Sequence, residues 1–370
     1  MAASDRILSV DIFRGLTIAA MILVNTPGTW GHVYTPFLHA EWNGLTPTDL
    51  IFPFFLFIVG MSITFAYSKK KKDKIGSEVY KKIISRAFKL IFLGLFLASF
   101  TLHFPFIKNL SDIRIPGVLQ RIGVVFFISA ILFLNLNWKV LLGTFIAILL
   151  IYWYLMTQIP INGEVALLTR SSNLGSVVDL KILTVDHMWK TDYDPEGILS
   201  TLPAVATTIF GMFLGMILLN KEKTKQEKYK YFVLIGIIAL LLGYLLDTVF
   251  PVNKALWSSS FVLVTGGWAS LVYALIFYIA DILEFNAWGK PAIIFGSNAI
   301  TVYFLSSFTT KCFGMIKLSN GRSLHGNLYD ILSSIITIPK LSSLVYAMLV
   351  ISFYYLIALI LYKKKIFIKV

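Results

Sequence analysis

Stretches of about twenty apolar residues recur ten times along this chain, at roughly 7–26, 48–68, 88–104, 116–135, 138–157, 199–219, 231–250, 259–280, 291–309 and 341–362. A hydrocarbon core of roughly 30 Å is crossed by about 20 residues of α-helix. Within it no water satisfies backbone N–H and C=O groups, so a lipid-embedded chain must bond them internally. Runs of this length predict an all-α fold, a polytopic transmembrane helical bundle of about ten spans, with residues 1–370 forming a single transmembrane domain. A mean hydropathy of +0.77 with only 14% charged residues excludes a soluble domain, whose surface needs far more charge. The short lead Met1–Arg6 is followed by no A-x-A site, so a cleaved signal is not expected.

The formal net charge of +14 invites a nucleic-acid reading, but the lysines lie in clusters between apolar runs. Ten spans put both termini on one side. The joints 68–89, 220–230 and 363–369 share that side, which carries 21 of the 33 Lys and Arg; the opposite side carries 10, with Arg14 and Arg121 inside spans. By the positive-inside rule both termini are expected to be cytoplasmic. All five histidines (His32, His39, His103, His187 and His325) then fall on or near the outer side, with the longer loops and turns such as Asn162-Gly163 and Asn320-Gly321. Recognition is expected outside. The basic inner face suits anionic lipid or an anionic cytosolic ligand, and nucleic acid is not an expected partner.

Polar chemistry concentrates in Asn25–Gly60, between the first two spans. A neutral imidazole at His39 could serve as general base or acyl acceptor, or be an interfacial side chain without a partner. His32 competes for the role from a Gly-rich stretch. Asn25 ends the first span before Thr26-Pro27-Gly28; it is either a helix-terminal residue or an amide that meets a developing oxyanion. Asp49, in Thr46-Pro47-Thr48-Asp49, has the spacing of a helix start, and the same carboxylate could orient an imidazole.

Charges inside spans are costly and usually face a partner or a cavity. Asp11 lies three residues before Arg14 and can pair with it. Gln120-Arg121 has no local acid, which points Arg121 toward a ligand anion. Gly296-Ser297-Asn298 and Thr301 form a polar stripe suited to helix–helix bonding. Asp194-Pro195-Glu196-Gly197 precedes the sixth span, and Glu196 is a candidate outer-site acid. Pro53 is expected to kink the second span. The lone Cys312 forms no intrachain disulfide. No phosphate-binding G-x-x-x-x-G-K-[ST], G-x-S-x-G, H-E-x-x-H or C-x-x-C occurs, so ATP, serine-hydrolase and metal chemistry are not indicated.

Several strings together resemble one family: Val10-Asp11-Ile12-Phe13-Arg14-Gly15, Asn25, His39-Ala40-Glu41-Trp42-Asn43-Gly44-Leu45-Thr46, Asp49-Leu50-Ile51-Phe52-Pro53, Ile115-Pro116-Gly117-Val118-Leu119-Gln120-Arg121, Asp194-Pro195-Glu196-Gly197 and Gly296-Ser297-Asn298. They are similar to the transmembrane domain of heparan-α-glucosaminide N-acetyltransferase and its bacterial relatives, in the same order over nearly the whole chain. The lysosomal enzymes carry a lumenal domain ahead of the first span; this chain resembles the shorter bacterial form, which leaves a polymeric acceptor open.

The resemblance implies acetyl transfer across a bacterial cytoplasmic membrane, from acetyl-CoA to the amine of an amino sugar on the outer side. It carries the active histidine onto His39 and an assisting asparagine onto Asn25, with Asp49 beside them. Acetyl-CoA is then expected against Arg14, Gln120, Arg121, Ser297 and Asn298, and the amino sugar against Trp42, Asn43 and Glu196. Membrane lipid is the other expected partner, and a homodimer is left open. A sugar transporter and an O-acyltransferase of an envelope glycan are the alternatives.

Overall fold

The computed structural model describes residues 7–72, 75–161, 163 and 167–368. Arg6, Lys74 and Lys369 of the charge pattern, the lead Met1–Arg6 and Asn162 of the expected Asn162-Gly163 turn lie outside the described residues. Among the described residues the protein is all α-helical, with 13 α-helices and no strand beyond two isolated bridges.

Eight helices are long and apolar enough to cross a membrane: α1 (Leu8–Asn25), α2 (Pro47–Lys72), α4 (Val118–Asn135), α5 (Trp138–Gln158), α7 (Thr201–Leu219), α8 (Lys225–Asp247), α9 (Ser259–Phe277) and α13 (Pro339–Lys363). α3 (Ser77–Ser99) adds a ninth long helix whose first thirteen residues carry Lys81, Lys82, Arg86 and Lys89. The expected ninth span is a broken one. α10 (Lys290–Ser297) and α11 (Ala299–Met315) meet at a 69° bend at Asn298. The amide of Asn298 binds the returning C-terminal tail, donating to the carbonyl of Ile366 and accepting from the N–H of Ile368. With that pair counted once, the described residues hold nine candidate spans, close to the ten expected, with α3 a further long helix, and the chain is a multi-pass membrane protein. Two further short helices, α6 (Leu174–Leu183) and α12 (Leu324–Ile335), fold within long loops. Pro53 sits inside an α2 that runs on as one helix.

The helices meet where small residues let backbones approach. A Cβ added to Gly60 of α2 would lie 1.9 Å from the Thr208 carbonyl of α7, and one added to Gly211 would lie 2.0 Å from the Phe57 carbonyl. α1, α2, α7 and α9 form the buried centre, around Phe13, Phe57, Phe261 and Tyr273. α5, α8 and α13 lie outside them and turn residues such as Leu241, Leu245, Leu349 and Leu356 outward. The loops 26–46, 100–117, 167–200 and 248–258 gather at one end. The basic joints lie at the other, where Lys71 donates to the carbonyls of Phe133 and Leu136.

Candidate active site

At the end where α1 finishes and α2 begins, the 36–40 segment is folded onto the first turn of α2. The Thr48 hydroxyl donates to the Pro36 carbonyl at 3.0 Å, and the Thr46 hydroxyl to the Leu38 carbonyl at 2.7 Å. Asp49, 1% exposed, is the hub. Its Oδ2 accepts from the Thr46 N–H and the Ala40 N–H, each at 3.0 Å, and lies 3.0 Å from the Thr46 hydroxyl oxygen. Its Oδ1 lies 2.6 Å from Nδ1 of His39. One carboxylate thus closes the helix start and holds an imidazole. An acid already surrounded by donors is an acceptor toward its last neighbour too, so Nδ1 donates to Asp49, and in the neutral ring the lone pair lies on Nε2. His39 is about half exposed, at 49%, and faces a cavity of about 270 Å³.

The opposite wall comes from residues far along the chain. Trp42 donates its indole N–H to the Leu168 carbonyl at 2.7 Å and meets Tyr193 edge-on, ring centres 5.3 Å apart. Arg114 forks onto Asp194 at 2.8 and 2.6 Å and reaches Glu196 at 2.5 Å, its guanidinium 4.9 Å over Trp189. Burial pushes the Arg114 guanidinium down, but the bonds and charges of the two carboxylates outweigh it and hold it above its ordinary value. Tyr303 reaches the cavity from α11.

Lys254, in the loop between α8 and α9, closes the remaining side. Its Nζ lies 3.0 Å from Nδ1 and 3.3 Å from Nε2 of His39, and 3.6 Å from Asp49 Oδ1. Burial lowers the ammonium's pKa, and Asp49 offsets part of that.

Of the residues singled out in the sequence, Asn25, His39, Asp49, Trp42 and Glu196 line this one cavity. The others lie elsewhere. Asn43 accepts from the side chain of Asn253 at 3.0 Å instead of facing the cavity, because it joins two loops. Gln120 donates to the Ile115 carbonyl and packs over Gly94 and Gly117. Arg121, 2% exposed, donates to the Gly197 carbonyl at 2.9 Å and the Ser200 hydroxyl at 2.5 Å, with its guanidinium against Trp257. Arg14 bonds Asp11 and Ser62, each at 3.2 Å, and Ser297 bonds the Ile294 carbonyl. His32 lines a separate shallow crevice beside Lys340, and His187 donates to the Ile113 carbonyl at 2.7 Å.

Sequence reasoning missed Lys254, Arg114 and Tyr303, and counted Trp189 and Tyr193 only among the aromatics of the long loops. For the two cations a signal existed: both interrupt loops expected to face outward, where positive residues are scarce.

Residues 6–249 match the family model described as heparan-alpha-glucosaminide N-acetyltransferase, catalytic. The chain belongs to this family. The heparan-alpha-glucosaminide N-acetyltransferase of Homo sapiens is 29% identical over 355 residues, which cover 82% of this chain and 53% of the human protein. That of Mus musculus is 26% identical over 423 residues, covering all of this chain and 61% of the mouse protein. The chain therefore spans about half to three fifths of the length of the curated relatives it matches. Asn25, His39, Asp49, Arg114 and Glu196 fall inside the stretch matching the heparan-alpha-glucosaminide N-acetyltransferase model, while Lys254 and Tyr303 come from beyond it.

Proposed function

We propose that this protein transfers an acetyl group from cytosolic acetyl-CoA to the amine of a glucosamine-type sugar on the outer side of a bacterial cytoplasmic membrane. The observation that carries this reading is the imidazole of His39, held through Nδ1 by Asp49 and lining a cavity in a member of an acetyltransferase family. An amine attacks a thioester only when neutral, and a base working near pH 7 is what such chemistry needs. In the transfer the amine nitrogen bonds the carbonyl carbon as the carbon–sulfur bond breaks. The amine's surplus proton passes to Nε2, and the coenzyme leaves as thiolate. Asn25, exposed at the end of α1 and lining the same cavity, supplies an amide to the carbonyl oxygen as charge develops there.

Trp42 and Tyr193 offer aromatic faces to the sugar, and Glu196 a carboxylate to its amine or hydroxyls. Toward the bundle interior the cavity lining runs to Met21, Phe52 and Val118. That space admits a sugar ring and the thioester tip; the rest of the coenzyme would extend past those side chains, along a seam that parts to admit it, with its phosphates toward Arg14 and the basic joints. The excess of Lys and Arg on the side of the termini supports cytoplasmic termini and an outward-facing His39. A cavity that draws on positions from Met21 to Tyr303 supports reading 1–370 as one transmembrane domain.

The test is acetyl transfer by the purified chain from labelled acetyl-CoA to a panel of amino sugars. Transfer to glucosamine, lost in His39→Ala and kept in His32→Ala, is the expected result. Labelling of hydroxyls alone would favour an O-acyltransferase, and sugar uptake into vesicles without acetyl-CoA a transporter; either would overturn the proposal.

A further inference from the structure

We infer that Lys254 is a positioning residue for the base step: its ammonium, fixed beside both His39 and Asp49, keeps the imidazole in its proton-accepting form until the amine arrives. The inference rests on the proposed role of His39 as base.

The contact is made by charge. Nζ is nearly equidistant from the two ring nitrogens, at 3.0 and 3.3 Å, whereas their in-plane axes diverge, so one ammonium cannot lie along both. Nδ1 is in any case engaged by Asp49. The cation therefore lies beside the ring and beside the carboxylate that it also approaches, at 3.6 Å. Asp49 and Lys254 together sum to zero. A proton added to the imidazole would leave two cations sharing one buried anion at contact distance.

Other charged groups around the cavity do not duplicate this. Glu41 comes from the hairpin of His39 itself. Across the cavity, Arg114 is committed to Asp194 and Glu196, which lie on the same wall. Tyr193 and Tyr303 present phenols.

The lysine is held in place by its backbone. Next to it, Asn253 is 0% exposed, donates to Asn43, and accepts from the Leu256 N–H at 2.9 Å. The Gly44 N–H donates to the Val252 carbonyl at 2.8 Å. The hairpin of His39 and the loop of Lys254 are thus stitched together at two points. A surface lysine needs no such support.

The experiment is the pH dependence of kcat/KM for acetyl transfer to glucosamine by the full-length chain, its Lys254→Met variant and its Lys254→Arg variant. In Lys254→Met the acidic limb is expected to move to higher pH by about 1 unit, with activity recovered on the alkaline side; Lys254→Arg keeps the original limb. A Lys254→Met profile lowered by one factor at every pH, with its limb unmoved, overturns the inference and makes Lys254 structural. An NMR titration of the His39 ring in the parent and Lys254→Gln proteins reads the same displacement without activity. If the parent acetylates no amine, the base role of His39 fails, and that titration still decides whether Lys254 governs the ring's protonation: an unchanged curve overturns it.

Discussion

Asn253 donates its side-chain N–H to Asn43 Oδ1 at 3.0 Å, across 210 residues of sequence. Asn253 is wholly buried and Asn43 is exposed, so the two ends of this bond differ in what their loss costs. Asn253→Ala strips the Leu256 N–H of its buried acceptor and is expected to cost about 1–3 kcal/mol. Asn43→Ala leaves a group that water can reach and should cost about 1 kcal/mol or less. Thermal unfolding in detergent checks the order; a larger loss for Asn43→Ala would contradict it.

Asp49→Asn should be more damaging to rate than its size suggests. Three N–H donors converge on the carboxylate, from Thr46 and Ala40 on one oxygen and His39 on the other, and an amide offers only one acceptor atom. Either the helix start or the imidazole loses its partner. If the base role of His39 holds, kcat should fall by about 10²–10⁴-fold. A variant within threefold of the parent would remove Asp49 from the mechanism.

Arg114 ties the 113–117 strand of chain to the wall that carries Glu196. Asp194, with its side chain 0% exposed, keeps N–H donors from Trp189 and Glu196 but loses its countercharge in Arg114→Met. Removing one partner of such a pair is expected to destabilise by about 3 kcal/mol. Arg114→Lys, which keeps the charge and loses the fork, should fall between. Unfolding midpoints of the three proteins test this ranking; equal midpoints would show that the pair contributes nothing.

Stability should also depend on pH through Asp179. Burial, with the neighbouring charge of Asp194, raises its pKa from 3.8 to about 6, against the Ile198 N–H and Arg121, which lower it. A carboxyl whose pKa is higher folded than unfolded binds its proton more tightly in the folded state. Its stabilising contribution is complete below about pH 4 and is lost as pH rises through about 6. Asp179→Asn keeps an acceptor for the Ile198 N–H and cannot ionise. The difference in melting temperature, variant minus parent, should therefore grow between pH 4 and 7. A difference that stays constant over that range argues against a raised pKa.

A good part of this architecture could be read from residue order. A bundle of about ten spans followed from run length, and Asp49 was marked as a helix start by Thr46-Pro47 before it. The break at Asn298 was hidden, because Gly296-Ser297-Asn298 reads equally as a polar stripe within one continuous span and the bend depends on an amide meeting the chain's own tail at Ile366 and Ile368. α3 began eleven residues earlier than its apolar run, because a helix at the basic end need not stop where its side chains become charged.

The chain's own sequence determined that it is a helical membrane protein, and which hairpin carries a histidine, an asparagine and an acid, because run length and helix-start spacing are local properties. Only the tertiary structure decided what faces that histidine. Lys254 lies 215 residues from His39, and Arg114 lies 80 from Asp194. Charges so distant in sequence become neighbours only once glycine-lined seams bring α2 against α7 and α8 against α9. No local pattern records that approach.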